Sequence, residues 1–307
     1  MSDLLEEDWA LGTYNLASFK KKMLRDAYSL CRLFHSTMAA TKGLPDVEQQ
    51  QILLDALTTE AVQTLGTLPK GVSYRIPGNL IDGTLLPQHV YVAANPFNGG
   101  SRDYGVGRDY TADIAVQIGE RVAAVYSVDL QGGEIHYLHP DSSQIMSLNK
   151  RSEAAHVLEQ DSAASPSPKI LFQGDQGHHA LRDLLGEERA GCALSFAQRS
   201  HAACLLDVIR GRAVAYARPA QEETAPWIDL PLIGFGGAAG IRVFSVEDGY
   251  LDEVPLAPGE YVGSDNKPGR PSCKEDGFKV RDHGLLYVSS AFVSELHRHV
   301  PVTMLGE

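Results

Sequence analysis

The chain has 307 residues and a formal net charge of −12, with a pI near 5.4. This length supports one large domain or two closely packed halves, and the acidic balance argues against a sequence-independent nucleic-acid binder, which needs a basic surface to displace counterions. No apolar run approaches the roughly 20 residues that span a bilayer, so no membrane span is expected.

An N-terminal extension of residues 1–14 precedes the first helix. Leu16, Phe19, Met23, Ala27, Leu30, Phe34 and Met38 recur at three- and four-residue steps and predict a helix over 16–38, with Lys20, Lys21, Lys22 and Arg25 on a solvated face. Ile52, Leu53, Ala56, Leu57 and Val62 predict a second helix over 48–65. Residues 66–89 are rich in Gly, Pro and turn pairs. Val90-Tyr91-Val92-Ala93-Ala94 reads as a buried strand running into Asn95-Pro96-Phe97-Asn98-Gly99-Gly100. That run spells a tight turn, because Gly supplies positive φ and Asn tolerates it. At the end of a strand in a mixed α/β chain, such a loop offers backbone N–H groups and short side chains to a ligand crevice; a purely structural turn is the alternative.

Strands at 113–118 and 122–128, a turn at Gly132-Gly133 and a strand at 134–138 read as a meander. Residues 149–168 are polar, end in Ser-Pro-Ser-Pro and are expected to form an exposed connector. Beyond it come a strand at 169–172, a helix at 178–185, a strand at 193–197, a helix at 200–210 and a strand at 213–217. A helix after Trp227, strands at 241–244 and 285–289 and a helix at 292–299 complete the chain. The alternation implies sheets covered by helices. It divides the chain into an α+β half at 15–148 and an α/β half at 149–307.

Cys31, Cys192, Cys204 and Cys273 lack paired metal-ligand spacing, and nothing at the N-terminus reads as a signal peptide. Reduced thiols in the cytoplasm are expected. His136, His139, His201, His297 and His299 show no zinc spacing with cysteines. Gly234-Phe235-Gly236-Gly237-Ala238-Ala239-Gly240 fits tight helix packing rather than a nucleotide loop.

The loop at 95–100 resembles the Asp-Pro-Ile-Asp-Gly-Thr loop of the inositol monophosphatase family, and the strands at 113–118 and 122–126 match the two that follow it there. Ser200-His201-Ala202-Ala203, Gly211-Arg212-Ala213-Val214-Ala215-Tyr216 with Pro219, and Pro226-Trp227-Ile228-Asp229 with Ala239-Gly240 are similar to later motifs of that family. The resemblance covers roughly residues 15–300. It implies a layered αβαβα sandwich of α/β (α+β) class and hydrolysis of phosphate monoesters with Mg²⁺, whose ligating carboxylates activate water and neutralise phosphate.

The same alignment removes most of that machinery. The two loop aspartates fall on Asn95 and Asn98, and the loop threonine falls on Gly100 beside Gly99. The threonine of the Asp-x-x-Thr dyad becomes Gln49, although Asp46 is retained. The aspartate after the family's tryptophan becomes Ile228, with Asp229 one position on, about 100° around a helix axis. Asp229 is expected as a helix N-cap or first-turn carboxylate that faces inward only if the turn is bulged. Ile81-Asp82-Gly83-Thr84 mimics the loop in sequence, but its distance from the strand at Ile114 makes it a turn. Neutral amides bring no charge to a cation that sheds water reluctantly even for carboxylates, so no metal is expected at the vestigial positions Asn95, Asn98 and Asp229.

Arginines stand in the vacated places. Arg102, Arg199 and Arg218 align with a loop asparagine, the glycine before Ser200 and a substrate-contacting glutamate, respectively. Three guanidinium groups facing one pocket would bind phosphate or carboxylate; surface or salt-bridging arginines are the alternative. Three readings result. One is a non-catalytic binding or assembly subunit with an anion pocket that takes a phosphorylated small molecule. Another is a divergent Mg²⁺ phosphatase working through Asp46 and Asp229, with Asp82 as a further candidate, in an altered metal geometry. The last is an accessory subunit of a larger complex. Family members pair, so a homodimer or a heteromer with an active paralogue is expected.

Overall fold

The computed structural model describes residues 16–65, 73–76, 79–81, 90–98, 110–118, 121–138, 144–149, 155–159, 168–173, 193–197, 199–218, 226–247, 250–254, 256 and 284–303. The 1–14 extension, the expected helix at 178–185, and Asp82, Gly99, Gly100 and Arg102 lie outside these residues.

Helices α1 (Leu16–Ala40) and α2 (Asp46–Leu65) lead into β1 (Ser73–Ile76), β2 (Asn79–Ile81), β3 (Val90–Asn98), β4 (Thr111–Ile118), β5 (Arg121–Asp129), β6 (Glu134–Leu138), β7 (Ile145–Asn149) and β8 (Ala155–Val157). Next come β9 (Lys169–Gln173), β10 (Ala193–Ala197), α3 (His201–Ile209), β11 (Ala215–Arg218), α4 (Pro226–Ala238) and β12 (Arg242–Glu247). β13 (Tyr250–Val254), β14 (Leu285–Val288), α5 (Ser290–His299) and β15 (Val302–Thr303) close the chain. The first sheet has the order β2-β1-β3-β4-β5-β6-β7-β8 and the second β10-β9-β11-β14-β12-β13-β15.

Three apolar clusters stack these elements into five layers. Ala27, Leu30, Cys31 and Phe34 of α1 and Leu53 and Leu57 of α2 pack with Phe97, Ala112 and Val128 on one face of the first sheet. The other face, through Ala93, Ala115, Val125 and Leu138, meets α3 and α4, which in turn meet Tyr216, Val243, Leu285 and Tyr287 of the second sheet. Phe292, Val293 and Leu296 of α5 cover the outer face of that sheet with Phe172, Phe244 and Leu286. This is the αβαβα sandwich. The central strands are buried on both faces, which explains why β3, β4 and β5 read as near-continuous apolar runs instead of alternating ones. For the same reason every residue of α3 is buried, as expected of a helix with no solvent face. No helix among the described residues is long and apolar enough to cross a membrane.

Three expectations need correction. The strand β3 does not end at Ala94: it continues through Asn98, with a register shift between Asn95 and Asn98 where three steps on β3 span two on β4. Pro96 sits inside that bulge, where its missing N–H costs no ladder bond, so the predicted tight turn at Asn95-Pro96 is strand. The connector at 149–168 is partly ordered, since Ala155–Val157 pairs with β7 as an edge strand. The first sheet therefore extends past the 148/149 boundary, and β7 itself runs to Asn149. The meander holds, as β3 to β8 pair antiparallel in sequence order.

The glycines of α4 allow it to lie close to the first sheet. A Cβ at Gly234 would come within 2.9 Å of Val122 Cγ1 and closer still to Val125, whereas at Gly237 the nearest atom is Leu256 Cδ2 at 3.7 Å. G234A is expected to cost about 1–3 kcal/mol through overpacking, whereas G237A is expected to be neutral or to gain up to about 1 kcal/mol from helix propensity. Urea unfolding of the two variants checks the contrast.

Candidate functional site

The bulge at the end of β3 brings Asn98 against β4. Its side-chain Nδ2 donates to Asp113 Oδ2 at 2.7 Å. Thr111 Oγ1 donates to the same oxygen at 2.9 Å, and Ser127 Oγ to Oδ1 at 2.6 Å. Asp113 is 0 % exposed. Burial pushes its carboxyl up to about 6, against the lowering effect of the hydrogen bonds from Ser127, Asn98 and Thr111. Asn95 sits directly across from Asp113 in register, and its Oδ1 accepts the Phe97 N–H at 3.3 Å.

Asp113 was not among the candidate residues, although the sequence carried a signal for it: a lone carboxylate inside the apolar run Ala112-Asp113-Ile114-Ala115-Val116. The register extends that signal across the sheet. Asn95, Asp113, Ser127, His136, Ser147 and His156 are successive partners on β3 to β8 and form one polar row. Arg210, the C-cap of α3, reaches this row at His136 Nε2, 3.5 Å away, and pairs with Glu134 two residues earlier on β6. Burial, then Arg210, lowers the His136 imidazole to about 4, with Glu134 opposing, so this ring is neutral near pH 7.

A second group forms between the sheets. Arg218, the last residue of β11, donates through Nη1 to Asp229 Oδ1 in the first turn of α4. Their exposures are 1 % and 2 %. Asp229 is thus a first-turn residue, as expected, but it faces inward. Pro231 lies inside α4 and cannot supply the N–H that the Trp227 carbonyl would accept, so the turn carrying Asp229 lacks one of its bonds. His201 Nδ1 meets the Tyr216 hydroxyl, and Tyr216 stacks on Tyr287 with ring centroids 5.8 Å apart. Burial and then Arg218 hold the His201 imidazole well below its ordinary range. Burial alone would lower the Arg218 guanidinium, but Asp229 together with Tyr287 and Tyr216 outweighs it and holds the group above its ordinary range.

The remaining candidates are placed as follows. Ser200 caps α3, its Oγ accepting the Ala203 N–H at 3.0 Å. Arg199 pairs with Asp207 of α3, which Arg212 Nη1 also approaches at 3.6 Å. Asp46 is exposed in the first turn of α2, and Gln49 is buried with its Nε2 on Thr41 Oγ1 at 3.0 Å. Of the three arginines of the expected anion pocket, Arg199 and Arg218 are engaged with different carboxylates, Asp207 and Asp229. For Arg218, a guanidinium withdrawn from water requires such a counter-charge.

These residues do not fit Mg²⁺. Asn95 and Asn98 are neutral, the charge of Asp229 is matched by Arg218, and Asp113 is enclosed by three donors. Mg²⁺ requires uncompensated oxygen charge to offset its dehydration. Among the described residues, no group of three His, Cys, Asp or Glu could hold a metal ion.

No protein-family model and no curated protein matches the chain by sequence. Solved structures do match it in shape. Inositol monophosphatase-II from Staphylococcus aureus MSSA476 superposes with a TM-score of 0.58 at 10% identity, over 91% of this chain and 94% of that one. Mycobacterium tuberculosis SuhB gives 0.56 at 14% identity, over 89% and 90%. A Ca-bound IMPase family protein from Staphylococcus aureus gives 0.58 at 9% identity, over 92% and 94%. The chain has the fold of these proteins over nearly its whole length.

Two predictions arise from the geometry. D229N strands a buried guanidinium and is expected to cost about 3–5 kcal/mol, most of it recovered when R218M is combined with D229L; urea denaturation midpoints of the three proteins decide this. Asp113 has its carboxyl raised on folding, so its contribution to stability is complete below pH 3.8 and lost as pH rises through about 6. D113N should therefore gain on the wild type by up to about 3 kcal/mol between pH 4 and pH 7, measured by unfolding both proteins across that range.

Proposed function

We propose that this protein is a catalytically silent relative of the inositol monophosphatases that acts as a binding or assembly subunit. The observation that carries this reading is the buried Arg218–Asp229 ion pair. The carboxylate nearest to the family's third aspartate is neutralised from within the protein, so it brings no net charge to a cation. The amide at Asn98 points its nitrogen at Asp113, and this supports the same conclusion at the loop strand. The divergent-phosphatase reading takes Asp46 and Asp229, with Asp82 as a further candidate. Asp46 is exposed on α2 and Asp229 is committed to Arg218, so neither supports it, and Asp82 lies outside the described residues.

Retention of the whole five-layer fold without its charge set suits a protein valued for its surface. A homodimer, or a heteromer with an active paralogue or a larger complex, is the assembly we propose. Any small-molecule ligand would then be held by the amides of Asn95 and Asn98. Arg102 is the one expected arginine whose placement lies outside the described residues. A cytoplasmic setting agrees with Cys31 and Cys204, which are buried and not joined in a disulfide.

Calorimetry with Mg²⁺, together with an assay on inositol phosphates, sugar phosphates and nucleotides, tests the proposal. The expected result is no saturable Mg²⁺ binding below millimolar concentration and no EDTA-sensitive turnover. Micromolar affinity or metal-dependent hydrolysis would overturn it. Co-purification from the native host is expected to recover a partner or a second copy of the chain.

A further inference from the structure

We propose that Asn98 and Asp113 hold one carboxylate between two positions, and that Asp113 is the residue that positions the Asn98 amide. This deepens the functional reading and rests on it in one respect: that position 98 is where the family carries a metal-binding carboxylate. The negative charge on this part of the sheet has moved one strand away from the loop strand, to a place with no solvent contact.

The argument is geometric. The bulge sets Asn98 opposite Thr111 and places its Nδ2 2.7 Å from Asp113 Oδ2. Asp113 accepts from Thr111 and Ser127 as well, so its oxygens meet donors on both sides. An aspartate at 98 would present an oxygen where the Asn98 nitrogen lies. Two carboxylates would then face each other at hydrogen-bond distance, in a site where Asn98 is 5 % and Asp113 0 % exposed. Like charges at that separation in a poorly solvated place are strongly unfavourable. An amide removes the conflict and adds a charge-assisted hydrogen bond. It also fixes which way the amide points: the nitrogen is held by Asp113, so Oδ1 is turned away from it. The loop strand thus offers a neutral acceptor where its family offers an anion, and regaining the carboxylate at 98 requires losing the one at 113.

A mutant cycle at pH 8 tests this, using the full chain and its thermal unfolding midpoint. N98D is expected to lose about 5 °C or more. The exchanged pair, N98D with D113N, is expected to recover more of that loss than D113N gains on its own in the wild-type background, because a carboxylate again faces an amide. Should N98D fail to fold, the side-chain amide exchange of Asn98 decides. The proposal is overturned if N98D is as stable as the wild type, or if the shift of the exchanged pair equals the sum of the shifts of N98D and D113N. Side-chain amide exchange by NMR adds a readout that bulk packing does not move: the Asn98 NH₂ protons are expected to exchange slowly in the wild type and at least tenfold faster in D113S. Metal-dependent hydrolysis by the wild type would end the functional reading while leaving the cycle intact. An additive cycle would end the charge exchange and leave the functional reading standing.

Discussion

The ion pair between Arg218 and Asp229 ties the second sheet to the middle helical layer of the sandwich. Arg218 ends a strand of the second sheet, and Asp229 opens the helix that packs on the first. Both side chains are out of contact with water. A charge in such a place must meet its opposite, since an uncompensated ion between two sheets would cost several kcal/mol. Once that pair is formed, the helix start is fixed. Tyr216 and Tyr287 stack on one another near the guanidinium, and His201 is kept neutral by burial and by the neighbouring positive charge. The middle layer therefore spends its charges on holding the fold together.

The same economy of charge recurs at the loop strand. Asp113 is enclosed by Asn98, Thr111 and Ser127, and Asp207 is approached by Arg199 and Arg212. In each case a carboxylate is satisfied by its own neighbours and presents no free field to a ligand. A metal-dependent phosphatase needs the reverse arrangement, with carboxylates left partly uncompensated until a cation arrives. The fold alone therefore does not assign the chemistry, because function resides in a site grafted on a scaffold.

The architecture was largely legible in the sequence because burial writes itself into periodicity. Leu30 and Phe34 mark the helix that covers the first sheet, and the doubly covered strands announce themselves as unbroken apolar runs. Where the reading failed, a residue-level signal was overruled by a neighbour in space. Asn95-Pro96 spells a turn, yet pairing with β4 carries it as a bulged strand. Ala155–Val157 lies in polar sequence and becomes an edge strand because β7 is there to pair with it. At the site, the amides at 95 and 98 could be read directly. The contacts of the site could not, since the partner of Arg218 is eleven residues away across a connection and the partner of Asn98 is on the next strand. Asp113 was visible as a carboxylate in an apolar run, but only the folded structure brings it into hydrogen-bond contact with Asn98.

The central claim is that the charges of this site are satisfied internally and leave no place for a divalent cation. Titrating Mn²⁺ into ¹⁵N-labelled protein and following the side-chain amides of Asn95 and Asn98 tests it most directly. Paramagnetic broadening of those resonances should be no greater than that of asparagines elsewhere at millimolar Mn²⁺. Selective loss of the Asn95 and Asn98 signals at micromolar Mn²⁺ would place a metal at the site and contradict the account.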